Sequence, residues 1–556
     1  MNILLFSGKL KEKCLSGFMV VGILVSLGGS AVAAEYDLVI NNGQVMDPET
    51  MLNEVLNVGI KDGIIAKITP DEIHGAKTID AKGHVVTAGF IDAHFHALDG
   101  LSLKLAALDG VTTGMDLEIG AINVNAWYDA KKGAWPLNYG TAVSQEGVRL
   151  RIHDPEVKLK GWYDAPTILG GLRAKACEDG VCGWQDARSD IEHLNKILKI
   201  FDEELQDGAL GMSSTIGYMP GITTYEMYKS QEIVAKYGRL TSAHVRFHGN
   251  PSLPEGPYGT DEILVNAMAL NAPLILCHNN EYGWWENEEK LQKARAQGYN
   301  VWSEYYPYTA ASTSISSSFF DPEGFAKFGL KYKDVMYDPI ADKYLDKDEF
   351  LATRKKDPSR LVVVFNPARK IWLPYWLRMP HMVVASDAIY SGLGVDSWDL
   401  DPSKYQGHPR TAGTRGKVLK LSREQGVPLM FSLAQMSYWP AKHLGDAGIE
   451  AMKVRGRMQE GMVADITIFD PKTVTDNSTY KLGENGTPTT GIPYVIVNGK
   501  LVVNESKFQK VWAGQPIRYP IEEKSHFKPL SVEAWGRQYA IRPFSVSQHG
   551  AEDKGE

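Results

Sequence analysis

The chain has 556 residues, 44% apolar and 23% charged, with a formal net charge of −8. That composition suits a folded globular protein long enough for more than one structural unit. The acidic balance, with no basic stripe, argues against nucleic-acid binding.

The first 34 residues stand apart. Lys9, Lys11 and Lys13 precede the apolar run Gly17 to Leu27, and the small residues Gly-Gly-Ser-Ala-Val-Ala-Ala34 follow it. A basic segment, a short apolar segment and a small-residue cleavage site predict a secretory signal peptide over 1–34 and a secreted, periplasmic protein. The apolar run is short for a membrane span, and no later segment is apolar enough to cross one. Export also colours the cysteines. Cys177 and Cys182 flank a turn-like Glu-Asp-Gly-Val spacer, and a disulfide between them fits an oxidising compartment. Cys277 lies in an apolar run and reads as core packing.

Residues 35–88 alternate short apolar strands with Asn41-Asn-Gly43 and Lys61-Asp-Gly63, which predict tight hairpins. The same texture returns over 455–510, so the two chain ends are expected to build one small β-sandwich domain. Between them the rhythm changes. Ile191, Leu194, Ile197, Leu198, Phe201 and Leu205 keep helical spacing, and further helices are expected over 225–237, 261–271 and 287–297. Each precedes an apolar strand, so 89–454 reads as βα units closing a (β/α)8 TIM-like barrel. Residues 150–185 and 318–375 are too long for simple connections and are expected to form lids or binding loops. The extension 511–556 is polar with scattered aromatics, and its last residues, 551–556, are expected to be disordered.

The chemistry lies at the strand ends. Gly89-Phe-Ile-Asp-Ala-His94-Phe-His96 ends a strand in two histidines that project to one side. Leu240 to His244 and Leu274 to His278 each end in a histidine, and Val383-Val-Ala-Ser-Asp387 ends in a carboxylate. Barrel enzymes carry their active residues at strand C-termini. His94, His96, His244, His278 and Asp387 there suit zinc or a similar divalent ion, one or two per chain. Glu118, after the next strand, is the expected bridging carboxylate, with Asp116 as the alternative. Asp387 would also shuttle a proton as base and then acid.

These stretches resemble the amidohydrolase superfamily. Asp207 to Gly221, His244-Val-Arg246, Tyr306-Pro-Tyr-Thr-Ala-Ala-Ser312-Thr, Ser386-Asp387, His408-Pro-Arg410 and Gly461 to Pro471 resemble its N-acyl-D-amino-acid deacylase branch, the D-aminoacylases. The likeness runs from about residue 36 to 505. It implies a metal-dependent hydrolase of N-acyl amino acids, with the four histidines as ligands and Asp387 as acid/base. It also implies substrate contacts from Tyr218, Arg246, Ser312 and Arg410, with Asn280 beside them. Two positions depart from the pattern: Glu118 replaces a cysteine of the usual bridging position, and Asn280 replaces a lysine. The implied partner is a small amide carrying a carboxylate; self-association is compatible with the sequence. Dipeptides, cyclic amides, aryl amides and lactones fit the same chemistry, and a non-catalytic metal-binding protein is the alternative from another class.

Overall fold

The computed structural model describes residues 35–157, 161–180, 182–246, 258–317, 320–327 and 329–540. The expected signal peptide and the 551–556 tail lie outside them.

Eight parallel strands form the centre: β1 Phe90–Asp92, β2 Val111–Ala121, β3 Asn138–Ser144, β4 Gly211–Ser214, β5 Leu240–Ala243, β6 Leu274–Leu276, β7 Val301–Tyr305 and β8 Met382–Val384. Each pairs with its sequence neighbour, in the order of the chain. All eight strands are buried; Leu274–Leu276 and Met382–Val384 are wholly apolar, whereas Val111–Ala121 and Gly211–Ser214 interleave polar residues. The barrel is nearly closed, and its seam is sewn at the mouth, where Phe95–His96 pairs in parallel with Ala388–Ile389. Behind the seam Asp92 accepts hydrogen bonds from Arg415 Nη1 (2.7 Å) and from the backbone N–H of Ser386 (3.1 Å), all three buried. Ile91, Met115, Leu117, Leu240, Ile275, Trp302 and Val383 fill the interior.

Helices alternate with the strands. The expected helices at 225–237, 261–271 and 287–297 are Thr224–Lys236, Tyr258–Leu270 and Trp284–Ala296, each starting one to three residues earlier. Capping explains the first start: Thr223 Oγ1 accepts from the backbone N–H of Glu226 at 3.1 Å, satisfying an orphan donor.

Strands from both chain ends share one nine-stranded sheet, with Ile466–Phe469 from the late segment paired to Val85–Ala88 from the early one. Its edge curls back, Ile64 bridging Val463, around a core of Ile40, Val58, Ile60, Val86, Ile466 and Ile496. Asp62-Gly63 forms a hairpin turn with both residues at positive φ. Asn41-Asn-Gly43 does not: Leu38–Asp47 runs straight through it, and the register shift between Ile40 and Gly43 marks a β-bulge.

The two long stretches are folded. Residues around 310–376 contain a four-stranded antiparallel sheet, Ala310–Ser314, Leu361–Phe365, Met336–Asp338 and Lys343–Tyr344, over its own core of Phe320, Tyr332, Met336, Phe350 and Val362. The 150–185 stretch carries short helical turns and the Cys177–Cys182 disulfide. Residues 511–531 pack along the base of the barrel. Ile517 is fully buried in the interior cluster, and its N–H donates to the Tyr139 carbonyl at 2.7 Å.

Candidate metal centre

His94 and His96 leave β1 at the mouth, and His244 and His278 follow β5 and β6. Asp387 follows β8. His278 and Asp387 adopt φ of +30° and +51°, a left-handed backbone that residues with a Cβ rarely adopt. Such strain concentrates at functional sites.

Glu118 occupies the middle. Between Asp116 and Ala121 the pairing of β2 with β3 advances five residues against two, from Thr141 to Val143, so part of β2 bulges toward the axis. Glu118 rides that bulge. One carboxylate oxygen lies 3.3 Å from His94 Nε2 and 3.2 Å from His96 Nε2; the other lies 3.1 Å from His244 Nδ1 and 3.4 Å from His278 Nε2. Asp387 Oδ1 approaches the first pair, 3.4 Å from His94 and 3.7 Å from His96. Asp116 stands behind the centre: one oxygen accepts from the N–H groups of Ile119 and Gly120, pinning the bulge, and the other meets His96 Nδ1 at 3.0 Å.

Glu304 is the residue the sequence reading missed. Its carboxylate meets His94 Nδ1, both side chains being 1% exposed. Carboxylates behind ligating imidazoles fix ring orientation and raise ligand basicity. In the sequence Glu304 is one residue of a strand, with no motif around it. Cys277 lies within reach of the same pair, but burial pushes its thiol up to about 12, which keeps it protonated.

The residues present fit a divalent ion. The Nε2 atoms of His94 and His96 are buried without a hydrogen-bond partner, although each faces carboxylate oxygens. His94, His96 and Asp387 form one candidate ligand group, and His94, Glu118 and His278 another. The electrostatics agree. Burial disfavours charge on His94, yet Asp387, Glu304 and Glu118 outweigh it and hold the ring well above its ordinary range. Burial likewise opposes charge on His96, and Asp116 reverses it, to about 9. Burial and the neighbouring His244 push His278 down to about 4. Burial alone would raise Glu118, but His94, with His244 and His278, holds it well below the carboxylate range. This pocket of carboxylates calls for positive charge, which protons supply when no ion is bound.

The expected substrate contacts divide. Arg410 Nη2 touches Asp387 Oδ1 at 2.8 Å, while its Nε and Nη1 are buried without partners. Ser312 accepts from Arg410 Nη2 through its carbonyl, at 3.4 Å. Tyr218 lies against His244, ring centroids 4.8 Å apart, and bonds Thr313 Oγ1 at 3.2 Å. Gly217 permits this approach, since a Cβ there would stand 2.5 Å from His244 Cδ2. Asn280 is fully buried beside the centre. Arg246 is paired within the protein: its guanidinium holds Glu262 at 2.7 Å and the Ile222 carbonyl at 2.6 Å.

A mouth lined by histidines and carboxylates on a nearly closed (β/α)8 barrel suits a metal-dependent hydrolase. The chain is homologous to D-aminoacylases and N-acyl-D-amino-acid deacylases, amidohydrolases of linear amides. It is 26% identical over 511 residues to a D-aminoacylase of Alcaligenes xylosoxydans xylosoxydans, covering 87% of this chain and 97% of that one. The fold matches an N-acyl-D-glutamate deacylase from Bordetella bronchiseptica, complexed with zinc and a phosphonate mimic of the tetrahedral intermediate (TM-score 0.66, 22% identity, 87% and 99% coverage). It also matches a D-aminoacylase studied for its binuclear metal centre (TM-score 0.67, 19% identity, 87% and 100% coverage). No protein-family model matches the chain.

Proposed function

We propose that this protein hydrolyses the amide bond of N-acyl D-amino acids at a zinc centre of one or two ions. His94, His96 and Asp387 would hold one ion, His244 and His278 a second, and Glu118 would bridge them. Such ions supply Lewis acidity and lower the pKa of water to about 7. Asp387, at the mouth, would take a proton as general base and return it to the departing amine.

One observation carries the substrate side. Arg410 presents two unpaired, buried donors next to Asp387. Buried donors without partners are costly, and a guanidinium fork matches a carboxylate. A substrate carboxylate gripped there sets its amide nitrogen beside Asp387 and its acyl carbon over the histidines. The D configuration rests on the named relatives, and location in the periplasm rests on the leader-like N-terminus and the disulfide.

The test is release of free amine by zinc-loaded enzyme from N-acetylated D- and L-amino acids. D-selective release, abolished by chelation and lowered at least ~10²-fold by Asp387→Asn with metal retained, is expected. Release without D-selectivity, or an Asp387→Asn enzyme of full activity, would overturn the reading.

A further inference from the structure

A cleft of about 540 Å³ opens beside the centre, within the roughly 300–1,000 Å³ of small-molecule sites. One wall is the disulfide loop, with Cys177, Cys182 and Glu178; the other is the inserted sheet and its helix, with Ser314, Leu351 and Lys355. Its floor is Tyr218, which touches both the Arg173 guanidinium (4.6 Å) and the His244 ring (4.8 Å). The floor is thus one ring removed from the proposed metal site. With the amino-acid half of the substrate held at Arg410 and Asp387, the cleft on the far side of Tyr218 from His244 offers room for the acyl half. The acyl half therefore points into the cleft.

The lining sets what that half is. Arg173 is committed to Glu146 (2.5 and 2.7 Å) and Arg354 to Asp321 (2.5 Å). Lys355 and Glu178, on opposite walls, make no ion pair among the described residues. A fatty chain would desolvate these groups and return no hydrogen bonds, at a cost. An acetyl group would leave most of the space unused. An acyl group with its own amides and a terminal ammonium matches both walls, the ammonium toward Glu178.

Building on the deacylase reading, we infer that the cleft is the acyl subsite and takes a peptidyl group, so that the enzyme's preferred substrates are short peptides ending in a D-residue. Hydrolysis then breaks the last peptide C–N bond. Water gives its oxygen to the acyl carbon and a proton to the leaving amine, yielding a shortened peptide acid and a free D-amino acid.

The test compares N-acetyl-, N-decanoyl- and glycylglycyl-D-leucine on the zinc-loaded enzyme, by kcat/KM. Binding of each to zinc-loaded Asp387→Asn protein is measured calorimetrically. The peptidyl compound is expected to lead by at least ~10-fold in both, through KM. Leu351→Trp, which fills the cleft from the insertion, and Cys177→Ser with Cys182→Ser, which frees the other wall, should each shrink that lead. Equal binding of acetyl and peptidyl compounds, or a preference for decanoyl, overturns the subsite while leaving the deacylase reading intact. Failure of all three to bind or react overturns both.

Discussion

Glu304 offers the sharpest trial of the centre, because it touches no substrate and lies in no motif. Its carboxylate meets His94 Nδ1 in a site where both side chains are 1% exposed, so water cannot replace it. Burial raises its own pKa, and His94 counters. Removing a carboxylate behind a ligating imidazole typically lowers metal affinity 10–100-fold, or about 1.4–2.7 kcal/mol. Glu304→Gln keeps an acceptor for the imidazole N–H and loses the charge, placing it near the lower figure. Glu304→Ala also strands a buried donor, a penalty of about 1–3 kcal/mol, placing it near the upper. The assay is competition for zinc against a chromophoric chelator at pH 7.5, with thermal melts of the metal-free proteins to exclude misfolding. Zinc affinities within twofold of the parent in both variants would refute the positioning role.

Two further outcomes concern stability. Ile517→Ala removes the plug at the base of the barrel and should cost about 2–5 kcal/mol in denaturant unfolding, as large-to-small core substitutions do; a loss below 1 kcal/mol would show that the 511–531 segment does not close the core. His153 is held down to about 4 by burial, with Arg149 and His193 adding to it. Between pH 6.5 and 4 the unfolded chain therefore binds the extra proton, and stability falls as pH falls through that window. His153→Gln should flatten that part of the stability–pH curve, and an unchanged slope in melts at pH 5 and 7 would contradict it.

Much of the barrel was legible because several of its strands, Leu274–Leu276 and Met382–Val384 among them, are short apolar runs and helices such as Ile191–Gln206 keep a clear period. The histidines were legible because each ends such a run. Glu118 could be named but not placed: the bulge that carries it depends on Asp116 accepting two backbone N–H groups, a contact no spacing announces. Glu304 was invisible for a related reason, since its partner lies 210 residues away. The hairpin expected at Asn41-Asn-Gly43 failed because an Asn-Gly pair serves a bulge as well as a turn. The segment after Val511 is polar with scattered aromatics, and a few anchors, Ile517 above all, seat it on the barrel while its backbone pairs with neighbouring chain.

The seam between the first and last strands has a consequence for the order of events in the life of the chain. His96 and Asp387 stand on its two sides, so the groups suited to one ion are contributed by opposite ends of nearly three hundred residues. No shorter piece of the protein contains them together. A chain that stops short of Asp387 offers an incomplete ligand set, a weaker and less selective trap for metals. The centre becomes complete when the ring closes, and an ion bound there then holds the closure shut. Metal selectivity would therefore be a property of the closed barrel rather than of any shorter piece of the chain.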